Sequence, residues 1–330
     1  MVSSKDVAKH AGVSQTTVSR VLNAPELVKP KTVEKVMRAI RELKYIPNEH
    51  ARSLVQNRTG TIALLSGPLH NPFFVDTTTA IVNHANSCGY KVDVQFVNDE
   101  KLTQAYARFL ERRVDGVILS CILYDDPFFN QLKDLEIPFI TYNRKHKEGQ
   151  YFVEIDNEQA GYLAAKHLIE LGHERLAWIG GSLDVSTYAN RFAGVQRACL
   201  EAGIELMDDY IHHTDTMKEH IAEAIDYMAT LENPPTAIIG GADAIALMVM
   251  DRCIQRKLSI PEDISIIGID NVELAKHGRI NLTTVGDIEE ENLGFIAINK
   301  LIEMVENKKN NRVNITKSVK VFNRETTTSR

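Results

Sequence analysis

Residues 3–57 read SSKDVAKHAGVSQTTVSRVLNAPELVKPKTVEKVMRAIRELKYIPNEHARSLVQN, and the rest of the chain is organised around this stretch. Val7-Ala8 and Ala11-Gly12-Val13, then Val18 and Val21-Leu22, form two brief apolar stripes at helical spacing, joined at Gly12. Ser3 is placed to cap the first helix, with Asp6 three residues on in a capping box. Ser14 is placed to cap a second helix from Gln15 to about Leu22. Two short helices on a Gly-containing turn predict a helix-turn-helix, whose second helix enters the DNA major groove. That helix turns Val18, Val21 and Leu22 inward and Gln15, Thr16, Thr17, Ser19 and Arg20 outward. Gln pairs with adenine, Arg with guanine, and a Thr methyl meets that of thymine. The bland alternative is the solvated polar face of an ordinary helix. Val33, Val36, Met37, Ile40 and Leu43 predict a third helix over residues 30–45 that closes the small domain. After Tyr45-Ile46-Pro47, Asn48 can cap a last short helix, Glu49 to about Gln56. Too short to stand alone in water, it is expected to fold only on a partner.

The runs KDVAKHAGVSQTTVSRVLN and YIPNEHARSL resemble the lactose/galactose repressor family (LacI/GalR), and the likeness extends over essentially all 330 residues. The resemblance implies that Gln15, Thr16 and Arg20 read bases, with Ser4, Thr17, Ser19 and Asn23 also at the DNA. It further implies that the hinge helices of two subunits meet in the minor groove, where Leu54, flanked by Ala51 and Arg52, wedges between base steps and kinks the duplex. Ser4 departs from the aliphatic residue many members carry, and is expected to loosen the first helix slightly without touching the readers.

Charge follows the same division. Residues 1–58 hold eleven basic and five acidic side chains, a net +6, in a chain of formal net charge −6; the remainder therefore carries −12. A basic headpiece on an acidic body confines phosphate binding to one end. The hydrophobic fraction, 44%, is ample for buried cores, and 330 residues predict more than one domain. The sequence contains no run of membrane-span length and no apparent signal segment. Cys88, Cys121, Cys199 and Cys253 lack CxxC spacing and read as reduced thiols, so a cytoplasmic protein is expected. No leucine-heptad tail is seen, so a tetramerising C-terminal coil is not expected.

From about residue 60 strand-like and helical stretches alternate. The strand-like runs are Thr61–Gly67, Tyr90–Val97, Gly116–Cys121 and Pro138–Asn143, then Arg175–Gly181, Tyr210–Thr214, Thr236–Gly241 and Ile264–Asp270. Two such series predict an α/β core of two lobes, each a parallel sheet covered on both faces, with ligand bound at the strand ends. The resemblance implies a core like a periplasmic sugar-binding protein, with crossings between lobes near 158, 288 and 318. It implies a helix-turn-helix headpiece at 1–47, a hinge helix at 48–58 and an effector-binding and dimerisation core at 59–330. The first lobe is then about 60–158 with 288–318, the second about 159–287 with 319–330.

Strand-end residues supply the candidate effector site: Phe73, Phe74, Asn143, Arg191, Asp270 and Asp287. Aromatic faces with Asp, Asn and an Arg fork suit a polyhydroxylated ligand, and Arg191 could grip a carboxylate or phosphate bidentately. Against the family pattern, Ala242 replaces a usual Asn, Asp287 a usual Gln and Asn143 a usual Asp, which puts ordinary sugar recognition in question and leaves a sugar phosphate open.

No GxGxxG, P-loop, GxSxG or HExxH occurs; His173-Glu174 is followed by Ala177 at the decisive place. His212-His213 on a strand lack a third ligand at metal spacing, and Trp178 reads as core. Neither enzyme, metal nor cofactor is expected. The expectation is a homodimeric transcriptional repressor on a near-palindromic double-stranded operator, controlled by a sugar or sugar phosphate, without membrane association. One alternative within the family is a global carbon-catabolite regulator whose coeffector is phosphorylated HPr. That protein would meet the acidic stretch 287–306, where Lys300 stands about where such members carry an Arg. A sugar-binding module without gene control and an enzyme on the α/β core are the readings from other classes.

Overall fold

A computed structural model describes residues 2–45, 58–97, 113–134, 137–307 and 312–330. The chain divides into two compact units, Met1–Gly60 and Thr61–Arg330.

The first unit holds α1 (Ser4–Ala11), α2 (Gln15–Asn23) and α3 (Pro30–Glu42). Ser3 and Asp6 form the expected capping box, with Ser3 N–H donating to Asp6 Oδ2 at 2.8 Å. Gly12 ends α1 at φ +65°, a left-handed conformation that a side chain would strain. Val7, Ala8, Val18, Val21, Val36 and Ala39 make the core. Met37, expected inside, is exposed, and Ala39 takes the inward position.

The second unit contains two six-stranded sheets. The first has the order β11-β5-β4-β3-β1-β2: Asn314–Lys317, Phe152–Ile155, Phe139–Tyr142, Gly116–Leu119, Thr61–Ser66 and Lys91–Phe96. All its pairings are parallel. The second has the order β12-β10-β9-β8-β6-β7: Val319–Phe322, Thr283–Asp287, Ser265–Ile269, Ala237–Gly240, Leu176–Gly180 and Ile211–His213. It is parallel except for β12 against β10. The chain passes from the first sheet to the second after Ile155, returns after Asp287 and leaves again between Lys317 and Val319.

Central strands such as β3, β4, β6, β8 and β9 are buried throughout, as sheets covered on both faces require. In the first sheet Ile62, Leu64 and Ile118 face Ile81 and Ala85 of α4 (Pro72–Ser87) and Leu301 of α10 (Leu293–Asn307). Ala63, Leu65 and Leu119 face Phe128, Phe129 and Leu132 of α5 (Phe128–Asp134). The second sheet is covered by α6 (Asn157–Glu170), α7 (Ser186–Glu201), α8 (Lys218–Met228) and α9 (Asp243–Gln255). Trp178 is fully buried in β6. α6 and α7 pack backbone to backbone: a Cβ on Gly161 would lie 1.8 Å from the Arg191 carbonyl oxygen, and one on Gly194 2.0 Å from that of Glu158. This contact fixes α7, and with it Arg191, against the first crossing.

Candidate functional site

Two surfaces carry function-bearing side chains. On the headpiece, Ser14 caps α2 by accepting Thr17 N–H at 3.1 Å, and its hydroxyl lies 2.9 Å from Thr17 Oγ1. Thr17 is therefore half-buried and engaged in the cap, and Ser19 is half-buried. Gln15, Thr16 and Arg20 are exposed on one side of the helix. Gln15 Nε2 donates to Ser4 Oγ at 2.8 Å, so Ser4 reaches across from α1 to the end of the recognition helix. Ser4 was expected not to touch the readers; its bond with Gln15 corrects that, because the start of α2 lies within reach of α1. The Asn23 side chain and the hinge residues Ala51, Arg52 and Leu54 lie outside the described residues.

In the second unit a cavity of about 460 Å³ lies between the sheets at the carboxyl ends of their strands. Phe73 and Phe74 form its apolar wall from the first lobe, with their rings edge to face at 5.4 Å. Asn71 caps α4 there, accepting Phe73 N–H at 3.0 Å. Asn143, at φ +66°, follows β4 and also lines the cavity. From the second lobe come Arg191 and Asp270. Arg191 is 1% exposed; its Nε donates to Asn157 Oδ1 at 2.9 Å, Nη1 to the Gly241 carbonyl at 2.8 Å and Nη2 to Asp270 Oδ1 at 2.6 Å. Three of its five N–H groups are thus spent inside the protein, and the free fork expected from the sequence is absent. A buried guanidinium requires such partners.

Asp243 stands behind Asp270. It accepts Val272 N–H at 2.9 Å and the Thr284 hydroxyl at 2.5 Å. Burial, and next the Asp270 charge, push its carboxyl up to about 7. Burial also raises Asp270, against the Arg191 guanidinium that lowers it. Ala242, where a polar contact was expected to be missing, lines the cavity beside them.

Asp287 does not line this cleft. It lies at the end of β10 and faces a second cavity with Asp76, Glu273 and Glu290. Conversely, Thr187, Asp215 and Met217 line the cleft and were not singled out, while Arg144, beside Asn143, lines it as its strand-end position implies. Thr214–Met217 directly follow β7, so the strand-end rule was signal enough for them.

Hydrogen bonds join the lobes on both flanks. Tyr124 N–H donates to the Asp184 carbonyl at 3.0 Å, Thr187 Oγ1 to the Asn143 carbonyl at 2.5 Å, and Lys145 N–H to Ser186 Oγ at 3.0 Å. Opposite them, Glu273 N–H donates to Asp76 Oδ2 at 3.1 Å. Polar bonds of this kind at the margins of a cleft can break and re-form in a hinged pair of lobes.

Comparison with known proteins gives the following. Residues 4–48 match the bacterial regulatory proteins of the lacI family, and residues 165–327 match a periplasmic binding protein-like domain. The chain is 36% identical over 316 residues to the HTH-type transcriptional repressor PurR of Aliivibrio salmonicida (strain LFI1238), covering 94% of this chain and 95% of that one. It is 36% identical to the repressor of the same name from Erwinia tasmaniensis, over 94% of this chain and 92% of that one. Among solved structures, the Lac repressor dimer bound to operator and the anti-inducer ONPF superposes with a TM-score of 0.86 at 27% identity, over 99% of both chains. The transcriptional regulator CelR in complex with cellobiose gives a TM-score of 0.70 at 26% identity, over 99% of this chain and 100% of that one.

Proposed function

Because this chain belongs to the lacI family of bacterial regulatory proteins and is a DNA-binding transcriptional repressor, not an enzyme, we propose that two copies read a near-palindromic operator in the cytoplasm and that a small polyhydroxylated effector in the interlobe cleft sets their affinity for it. Gln15, Thr16 and Arg20 are the base readers in this reading, with Leu54 as the minor-groove wedge. The observation that carries the effector reading is the cleft itself: about 460 Å³, aromatic on one wall and carboxylate- and hydroxyl-bearing on the other. Sugars present apolar faces and rings of hydroxyls, which this wall chemistry matches. Solved relatives that hold cellobiose or ONPF support the same class. An effector that binds one lobe arrangement better than the other shifts the population between them.

The test is operator binding by fluorescence anisotropy at fixed salt, on fragments upstream of the chain's own gene, with panels of sugars and sugar phosphates. A severalfold change with one compound, lost in Asp215→Ala, is expected; Asp215 is exposed on the cleft wall, so its removal spares the fold. No response to any compound in either panel sinks the effector reading. Phosphorylated HPr is the control partner. Strengthening of DNA binding by it alone, with no response to sugars, favours the catabolite-regulator reading instead.

A further inference from the structure

The second cavity, about 120 Å³, sits where the chain crosses back from the second lobe to the first. Asp76 reaches it from α4, Glu273 and Lys276 from the second lobe, and Asp287, Glu290 and Glu291 from the crossing. Asp270 lines both this cavity and the cleft. Most of these charges have partners. Lys276 pairs with Glu273 at 2.8 Å and Glu290 at 3.2 Å, and Asp76 accepts the Glu273 N–H. Lys317 holds Oε2 of Glu289 and Oε2 of Glu291.

Asp287 is the exception. It is 7% exposed, and its Oδ2 accepts Glu291 N–H at 2.9 Å. Its Oδ1 is enclosed and has no hydrogen-bond partner among the described residues. Lys317, committed to the two glutamates, makes no ion pair with it. A buried carboxylate oxygen without a donor is costly, and an ion or water normally answers it. Asp287, Glu289 and Glu291 each bring one oxygen within 4.8 Å of the others. Two oxygens each about 2.4 Å from one ion stand no more than about 4.8 Å apart. The set is oxygen-only, the preference of hard cations and not of zinc or copper.

We infer that Asp287, Glu289 and Glu291 bind a hard divalent cation of the Mg²⁺ or Ca²⁺ kind at the lobe crossing. Lys317 already holds Oε2 of each glutamate, so the ion either displaces its ammonium or takes the other oxygens. Asp76, on the opposite lobe, faces the same cavity, and the ion's charge favours the lobe arrangement that brings it near. Asp270 lines both this cavity and the effector cleft.

The experiment is isothermal titration calorimetry of the full-length protein, stripped with a chelator, against CaCl₂ and MgCl₂. One saturable site per chain is expected for at least one ion. Asp287→Asn weakens it at least tenfold and Glu289→Gln severalfold, while Glu306→Gln, an acid on the outer end of α10, leaves it unchanged. Circular dichroism checks that each variant is folded; if Asp287→Asn is not, the exposed Glu289→Gln decides. No saturable heat with either ion, or binding indifferent to Glu289→Gln, overturns the inference.

Discussion

The recognition helix and the cleft both present Arg, Asn or Gln and hydroxyl side chains to a ligand, but they satisfy them differently. Arg20 and Thr16, the proposed base readers, stand in solvent, where water serves their polar atoms. Arg191 is buried and must find its partners in the protein, and it does so through Asn157, Gly241 and Asp270. An exposed reader can therefore change without disturbing the fold. A buried one is also a structural element, and its loss damages both stability and response.

The sharpest way to break this contrast is Arg191→Ala. It leaves Asp270 buried without its counter-ion, and the expected loss is about 3–5 kcal/mol of stability. Urea unfolding at neutral pH measures it. A variant as stable as the parent shows that the cleft is open enough for water to do Arg191's work.

Asp243 sharpens the contrast in the pH dimension. Its carboxyl titrates at about 7 in the fold against an ordinary value of 3.8. Between those values the folded protein holds a proton that the unfolded chain releases, so this group's contribution to stability falls as pH rises from about 4 to 7 and is level above. At 1.36 kcal/mol per unit the ceiling is about 4 kcal/mol. Asp243→Asn lacks this dependence, so its stability relative to the parent improves through that window. Asp6 in the headpiece has the opposite sign. Hydrogen bonds from Ser3 lower it, so its contribution is lost as pH falls through its lowered value. Parallel pH profiles for parent and Asp243→Asn refute the assignment.

Arg20→Ala tests the exposed side. Loss of a bidentate guanine contact is expected to cost about 1–3 kcal/mol of operator affinity and to relax preference at one base pair. The unfolding midpoint stays unchanged. A large fall in stability places Arg20 in a packing role instead.

The same physics governs what the sequence discloses. The headpiece was legible because capping and periodicity are local: Ser3, Asp6, Gly12 and Ser14 each act within four residues. The lobes were legible where strands are continuous apolar runs, as in LAWIG and SIIGI. Asn314–Lys317 and Val319–Phe322 carry charged and polar residues, since they run at the sheet margins, and no apolar run marks them. In the cleft, strand ends located Phe73, Phe74, Asn143, Arg191 and Asp270, but which partners consume Arg191 depends on segments 34 to 79 residues away in sequence. Asp287 shows the limit of carrying a position over from a family: the place at the strand end transfers, while the direction the side chain faces depends on neighbours such as Glu291, whose N–H it accepts.

Ser4 gives the smallest expected effect and the finest test of the contrast, because here an exposed reader does have a protein partner. Gln15 carries three side-chain torsions, and fixing them on a base edge costs entropy. With one amide hydrogen held by Ser4 Oγ, the other hydrogen can donate to N7 and the carbonyl oxygen accept from the N6 amino group on the major-groove edge of an adenine. Ser4→Ala frees the glutamine without removing it. Operator affinity then falls by under about 1 kcal/mol, the scale of one exposed hydrogen bond. The fall is confined to operators with adenine at the position Gln15 reads, while non-specific binding and its salt dependence, set by phosphate contacts, do not move. Gln15→Ala locates that position by losing more there than anywhere else. If Gln15→Ala has a clear base-pair signature and Ser4→Ala has none, the tie between the helices is incidental and Gln15 behaves like Arg20, ordered only by the DNA.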